Sequence, residues 1–307
     1  RPDVQALTST SGRLTDTITV SSADGTTQQI TVMIHGSDDR AVVGGTAVGA
    51  VTEDGVVTTG GRLSVSDPDA GQAVFTAQPH AAGAYGTFEV HADGSWTYHL
   101  DNARADVQAL TARGQLTDTL EVATADGTTQ RITVTINGAD DRAVIGGTAT
   151  GEVTEDGRTS AAGHLTVTDP DAGQAQFVPM SQAPGLYGTF TIQPDGTWGY
   201  QLDNARADVQ ALTSGGARLT DTITVSSLDG TTHQITVTVK GADDDAVIRG
   251  TASGAVAEDG AMTTGGSLSV VDPDAGQAHF VAVPQGAGTY GTFEVQAGFA
   301  AAAILAA

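Results

Sequence analysis

The feature that most constrains this chain is a long internal repeat. Asp-Pro-Asp-Ala-Gly-Gln-Ala begins at Asp67, Asp169 and Asp272, Glu-Asp-Gly begins at Glu53, Glu155 and Glu258, and an Asp-Asp pair stands at Asp38, Asp140 and Asp243. All three series are spaced by 102 and then 103 residues. A period of that size is a domain, not the roughly 20–45-residue unit of a solenoid. The chain reads as beads on a string: 1–40 is the C-terminal half of a repeat, 41–142 and 143–245 are full repeats, and 246–307 is an N-terminal half. Arg1–Leu7 matches Arg104–Leu110, so the chain enters in mid-repeat, shows no signal peptide and is read as a fragment of a longer protein. After Glu294–Ala297 the repeat pattern stops, and Gly298-Phe299 leads into an alanine-rich run to Ala307. That run is read as a frameshift, gene end or assembly scar, with a docking helix as the alternative. Neither reading supplies the strands missing from the last repeat, although 1–40 and 246–297 are complementary halves.

Within a repeat the hydrophobic pattern has the period of strands. In 41–142 the β-rich runs are Thr46–Val51, Arg62–Asp67, Ala73–Gln78, Tyr85–His91, Ser95–Leu100, Gln115–Thr124 and Thr128–Ile136, with a short helical or irregular crossover at Ala103–Thr111. Asp93-Gly94 and Asp126-Gly127 are hairpin signals, because these turns need positive φ. Phe88 and Val90 alternate with polar neighbours, as do Trp96, Tyr98 and Leu100, which predicts one buried face. About seven strands in about 100 residues suit an all-β, immunoglobulin-like sandwich. Asp118 breaks the alternation by sharing parity with Leu116, Leu120 and Val122, and Asp16 and Asp221 repeat the anomaly. A bulge, a satisfied aspartate at the sandwich rim and a ligand role are all open for it.

Composition removes several functions. The chain has 36 acidic and 13 basic residues, a net charge of −23, a single lysine and no cysteine. A nucleic-acid partner would need a basic footprint. Disulfides and thiol catalysis are impossible, and no apolar run reaches the ~18–20 residues of a membrane helix. No Ser/His/Asp set or phosphate loop is present, and none of the seven histidines recurs at an equivalent position, so the chain is not read as an enzyme.

Of the 36 acids, 19 fall in the three repeated motifs, counting Asp245 with its linker pair. Strand direction says where they go. Thr46–Val51 descends about 20 Å at roughly 3.3 Å per residue, which puts Glu53 and Asp54 at the bottom of the repeat. Arg62–Asp67 climbs back and leaves Asp67 and Asp69 at the top, near the incoming linker Asp38 and Asp39. The last strand ends at the bottom, at Asp140 and Asp141. Since the bottom of one repeat meets the top of the next, Glu53, Asp54, Asp140, Asp141, Asp169 and Asp171 should converge. The next junction should gather Glu155, Asp156, Asp243, Asp244, Asp245, Asp272 and Asp274. Two unit charges at 4 Å repel by about 4 kcal/mol at an effective dielectric of 20, so such a set calls for a cation. All-oxygen ligands favour Ca²⁺, which takes 6–8 of them flexibly, whereas zinc prefers nitrogen or sulfur. Asp24, Asp126 and Asp229, in Asp-Gly hairpins, read as turn residues.

The ordered motifs Gly45-Thr46, Thr52–Gly55, Leu63–Gln72, Tyr85–Phe88, Asp93–Tyr98, Leu100–Asn102, Val107–Leu110 and Leu116–Thr119 resemble the VCBS repeat family of large bacterial surface and secreted proteins, including RTX-type adhesins. The resemblance covers almost everything except the last ten or so residues. It implies extracellular, adhesive, calcium-dependent extender modules, typically exported by type I secretion. The repeat is also similar, more loosely, to cadherin domains. That likeness implies a calcium set of Glu53, Asp101, Asp140, Asp141, Asp169 and Asp171, with Asp203 as the counterpart of Asp101 in the next repeat.

The expected function is an extender or stalk of a secreted or cell-surface adhesin, serving cell adhesion or biofilm formation. Its partners are the neighbouring repeats of the same chain and a host or abiotic surface. Ca²⁺ binding at about 10⁻⁴–10⁻³ M, usual for extracellular modules, is weak inside a cell and substantial outside. The alternative is a module that binds a glycan or host surface, for which Trp96, Tyr98, Trp198 and Tyr200 are stacking candidates; their alternation beside a hairpin favours a core role.

Overall fold

In a computed structural model of the chain, which describes all residues except 11, 298–301 and 306–307, two compact units form. One comprises residues 1–142 with 169–173, the other residues 143–168 with 174–307. The first unit begins with a single helical turn, α1 (Pro2–Gln5), and a hairpin of β1 (Arg13–Ser21) and β2 (Thr27–His35). One complete sandwich follows: β3 (Val42–Gly45), β4 (Val48–Thr52), β5 (Thr58–Ser66), β6 (Gln78–Ala82), β7 (Gly86–Val90), β8 (Ser95–Leu100), α2 (Ala105–Gln108), β9 (Gln115–Ala123) and β10 (Thr129–Asn137). Its two sheets have the strand orders β3-β5-β8-β7-β6 and β4-β10-β9.

The second unit repeats this sandwich with β11 (Val144–Gly147), β12 (Thr150–Thr154), β13 (Ser160–Thr168), β14 (Met180–Pro184), β15 (Gly188–Ile192), β16 (Thr197–Leu202), α3 (Ala207–Gln210), β17 (Leu219–Ser226) and β18 (Thr232–Lys240). Its sheets keep the same order, β11-β13-β16-β15-β14 and β12-β18-β17. An incomplete piece follows, made of β19 (Val247–Gly250), β20 (Thr263–Gly265), β21 (Leu268–Val271), β22 (Val283–Ala287), β23 (Thr292–Val295) and β24 (Ala302–Leu305). The two complete sandwiches thus share one strand order and follow one another along the chain.

Each sandwich has its own core between its two sheets. In the first, Leu63, Phe88, Val90, Trp96 and Tyr98 pack against Val122, Ile132, Val134 and Ile136. Phe88 and Tyr98 meet as a tilted pair with ring centroids 4.6 Å apart, a favoured aromatic geometry. The Trp96 indole N–H donates to the Thr46 carbonyl at 2.8 Å. Trp198 and Tyr200 are buried in the same way, and the Trp198 N–H donates to the Thr148 carbonyl. All four aromatic side chains are therefore closed to stacking against an external ligand.

The structure differs from expectation at three points. The opening run Thr46–Val51 is β4, and an unexpected strand precedes it: β3 pairs antiparallel with β5, while β4 crosses to the other sheet and pairs parallel with β10. Gly45 makes the crossing at φ 89°, where an added Cβ would stand 2.5 Å from the Arg62 carbonyl oxygen; only glycine fits that conformation and that approach. Ala73–Gln78 is not a strand. Phe75 alone bridges to Thr124, and the strand lies later, at Gln78–Ala82, as a sheet edge with a register shift between Gln78 and Ala81. Bulges are a common device for blunting an edge. Finally, part of the alanine-rich run is a strand, not a helix: β24 pairs with β20 and β23, taking the place in the sheet order that β8 and β16 hold in the complete sandwiches.

Candidate metal centre

The site begins at the Glu-Asp-Gly turn after β4. Asp54 adopts φ 51° and Asp156 φ 50°, a left-handed conformation that aspartate tolerates better than most residues. The turn swings Glu53 back beside the end of β10. Its N–H donates to the Asn137 carbonyl at 3.0 Å, and its Oε1 accepts from the Ala139 N–H at 3.2 Å. Parallel pairing of β4 with β10 thus delivers the glutamate to the start of the linker.

The linker aspartates divide their work. Asp140 Oδ1 accepts from the Ala112 N–H at 2.8 Å, just beyond α2. Asp38 takes the equivalent N–H from Ser9 and Asp243 from Ser214. The second aspartate faces the following Asp-Pro-Asp turn: the Asp141 N–H donates to Asp171 Oδ2 at 2.8 Å, and Asp39 and Asp244 donate likewise to Asp69 and Asp274. Each turn is internally braced, with Asp67, Asp169 and Asp272 accepting from the N–H of Asp69, Asp171 and Asp274. The Ala172 N–H also donates to the Ala109 carbonyl at 3.1 Å.

This geometry brings together Glu53, Asp141 and Asp171, each offering an oxygen within 4.8 Å of the others. Glu53 and Asp171 are buried and Asp141 is half-buried. Burial raises the Glu53 carboxyl above its ordinary range, and Asp141, Asp171 and Asp54 push it the same way. Asp141 is raised by burial and by the adjoining Asp54. Asp54 itself is lowered, chiefly by the Asn102 side chain, whose Nδ2 donates to its Oδ1 at 2.6 Å. In the second unit burial raises Glu155, as do Asp244, Asp156 and Asp274.

A cation's fit can be tested on the oxygens themselves. Glu53 Oε2, Asp141 Oδ2 and Asp169 Oδ2 are buried with no hydrogen-bond donor, as are Glu155 Oε2, Asp244 Oδ2 and Asp274 Oδ1 in the second unit. Asp67 Oδ2 and Asp69 Oδ1 show the same at the first linker. Buried polar atoms are nearly always satisfied, and a buried charge without a partner is costly. Hard oxygen donors lacking any N–H or O–H fit a hard divalent cation such as calcium.

Asp101, Asp203 and Asp245 are exposed; Asp101 and Asp203 accept from the N–H of Ala103 and Ala205, and Asn102 and Asn204, not these aspartates, hold Asp54 and Asp156. Asp118 is a satisfied core aspartate, accepting from the N–H of Ala84, Tyr85 and Thr119 and from the Tyr98 hydroxyl. Sequence reasoning missed Asp126 and Asp229, which do more than shape turns. Their Oδ2 atoms accept from the linker N–H of Ala41 and Ala143 at 2.9 and 3.0 Å. The only signal was their constant distance from the Asp-Asp pairs.

The extracellular domain of protocadherin gammaB4 is 15% identical at a TM-score of 0.44 over 95% of this chain, which spans 54% of that structure. The PcdhgB3 EC1-4 structure is 13% identical at 0.46, covering 97% of this chain and 74% of that one. Mouse cadherin-23 EC22-24 is 16% identical at 0.37, covering 75% and 74%. No curated protein matches the chain. Residues 38–138 and 140–241 each match the bacterial cadherin-like domain, two consecutive copies that take in the first two sets of carboxylate motifs and both complete sandwiches, and the chain belongs to that family.

Proposed function

We propose that this chain is a calcium-stabilised extender module of the VCBS type, part of a secreted or cell-surface bacterial adhesin that serves cell adhesion or biofilm formation. Cadherin-like domains are typically extracellular adhesion modules set in tandem, and they generally bind Ca²⁺. Among the described residues no helix is long and apolar enough to cross a membrane. The observation that carries the reading is the convergence of Glu53, Asp141 and Asp171, flanked by buried carboxylate oxygens that have no donor.

Calcium would supply the positive charge that these oxygens lack. Glu53 would hold it from the sandwich end, Asp141 from the linker, and Asp171 with Asp169 from the next Asp-Pro-Asp turn. Glu155, Asp244 and Asp274 would do the same in the second unit. The bonds from the Asp141 N–H to the Asp171 carboxylate and from the Ala172 N–H to the Ala109 carbonyl already align these segments, and Asp140 ties the linker to the loop after α2. In an extended adhesin such a clamp resists bending at each linker, and the acidic surface keeps neighbouring repeats apart before the ion arrives.

Calorimetric titration of the full chain with CaCl₂ tests this. Binding should fall in the range of about 10⁻⁴–10⁻³ M and weaken strongly in Glu53→Gln and Asp141→Asn. No heat and no thermal stabilisation at millimolar calcium would overturn the assignment.

A further inference from the structure

In both complete sandwiches the aspartate after the buried glutamate is gripped by two side-chain amides. Asp54 donates its N–H to Asn102 Oδ1 at 3.0 Å, and Asn102 Nδ2 donates back to Asp54 Oδ1 at 2.6 Å. Gln108 Nε2 donates to the same oxygen at 3.2 Å. The second sandwich repeats these bonds, with Asn204 paired to Asp156 and Gln210 donating to Asp156 Oδ1 at 3.3 Å. Other acidic turns are braced from within: Asp93 accepts from the Ser95 N–H and Asp195 from the Thr197 N–H. Asp54 instead draws on side chains 48 and 54 positions away. It also adjoins the Asp141 carboxyl, and two carboxyl groups can meet only through a proton or a cation. Asp141 belongs to the convergence with Glu53 and Asp171. We propose that Asp54 and Asp156 are further ligands of the cation, and that Asn102 with Gln108, and Asn204 with Gln210, are the positioning residues that hold them to it. The proposal rests on the calcium reading and adds to it a fourth carboxylate and the side chains that aim it.

The sequence builds the grip locally. Asn102 lies just beyond β8 and Gln108 ends α2. That single turn is anchored by the fully buried Val107 and by the Arg104–Asp106 ion pair. Residues 100–110 and 202–212 are the same eleven residues, so the second unit forms the same arrangement. Amides suit the task. They donate to a carboxylate without bringing the positive charge of Lys or Arg, which would compete with the ion. With Oδ1 ordered by two donors, Asp54 is set in place before a cation arrives, as partners of metal ligands commonly do, and its charge raises affinity.

Calorimetric titration of the full chain with CaCl₂ tests this, with Tm in chelator measured beside it. Gln108→Ala and Asn102→Ala should each weaken the site of the first unit about 10–100-fold and leave that of the second unit unchanged. Gln210→Ala should do the reverse. Asp54 is exposed, so Gln108→Ala should leave Tm in chelator where it was. In an Asp54→Asn background Gln108→Ala should cost no further affinity, because its effect runs through the Asp54 carboxylate. Wild-type affinity in Gln108→Ala and Asn102→Ala, with binding still weakened in Glu53→Gln, would overturn the positioning role and leave the calcium reading standing. A wild-type chain that takes up no calcium overturns both. Equal falls in Tm with calcium and with chelator would make the amides a brace of the turn and overturn the proposal.

Discussion

The hairpins β1–β2 and β9–β10 are nearly the same sequence in two environments. Both pair antiparallel in the same register, with Ile18 opposite Ile30 in one and Leu120 opposite Ile132 in the other. Both close on an Asp-Gly turn. Yet the apolar face of the first is in water and that of the second is in a core. Hairpin pairing is therefore local, set by turn chemistry and alternation. Parallel pairing is not: β4 and β12 are strands because β10 and β18 lie beside them, and Ser253–Ala257, with no such neighbour, is not one. Half a repeat keeps what its own sequence dictates and loses what the other half supplies.

Substitutions at matched positions can break this comparison. The largest difference should come from Asp118→Ala against Asp16→Ala. The first strands the buried Tyr98 hydroxyl and the N–H groups of Ala84 and Tyr85, at about 1–3 kcal/mol for each donor left unmet. The second, on an exposed strand, should change stability by less than about 0.5 kcal/mol at concentrations where the chain is monomeric. Urea titration followed by tryptophan emission reads both, and equal effects would mean that Asp16 is buried in solution. Next in size is Ile132→Val, expected to cost about 0.5–1.5 kcal/mol, beside a near-zero effect of Ile30→Val.

The smallest effect is a dependence on pH. Burial pushes Glu53 above its ordinary 4.5, and burial with Asp54 pushes Asp141 above 3.8. The folded state therefore keeps protons that the unfolded chain has released. That contribution is complete below the ordinary values and is lost as pH climbs through the raised ones. Asp126 acts in the opposite sense. The Ala41 N–H and the Thr124 and Thr128 groups hold it well below 3.8, so its contribution is lost only as pH falls. In chelator, Tm should peak on the acid side of neutrality, and calcium should move the peak upward. A chelated Tm that climbs steadily to pH 7 would remove the proton-holding role of Glu53 and Asp141.

Much of this was legible in the sequence. The repeat period, the alternating strands and the Asp-Gly hairpins are local signals, and strand direction alone carried Glu53 toward Asp141 and Asp171. What escaped depends on tertiary placement. Whether Asp140 or Asp141 faces the next turn is decided by an N–H beyond α2, and nothing in an Asp-Asp pair ranks its members. The strand β3 before the crossing at Gly45 was not anticipated, because a run of four residues that includes Gly44 and Gly45 is a weak strand signal. The role of Asp126 needed its distance to Ala41, 85 residues away in sequence.

The pairing of β4 with β10 has a mechanical consequence. These are an entering and a leaving strand of one sandwich, side by side and parallel, in register from Val48 with Thr133 to Thr52 with Asn137. Tension applied to the two ends of the sandwich pulls these neighbours lengthwise past each other. Their hydrogen bonds are then loaded in shear and must yield together, whereas a hairpin pulled from its open end unzips one bond at a time. A tethered chain built this way holds its length under flow until the force is enough to break a whole strand pair at once.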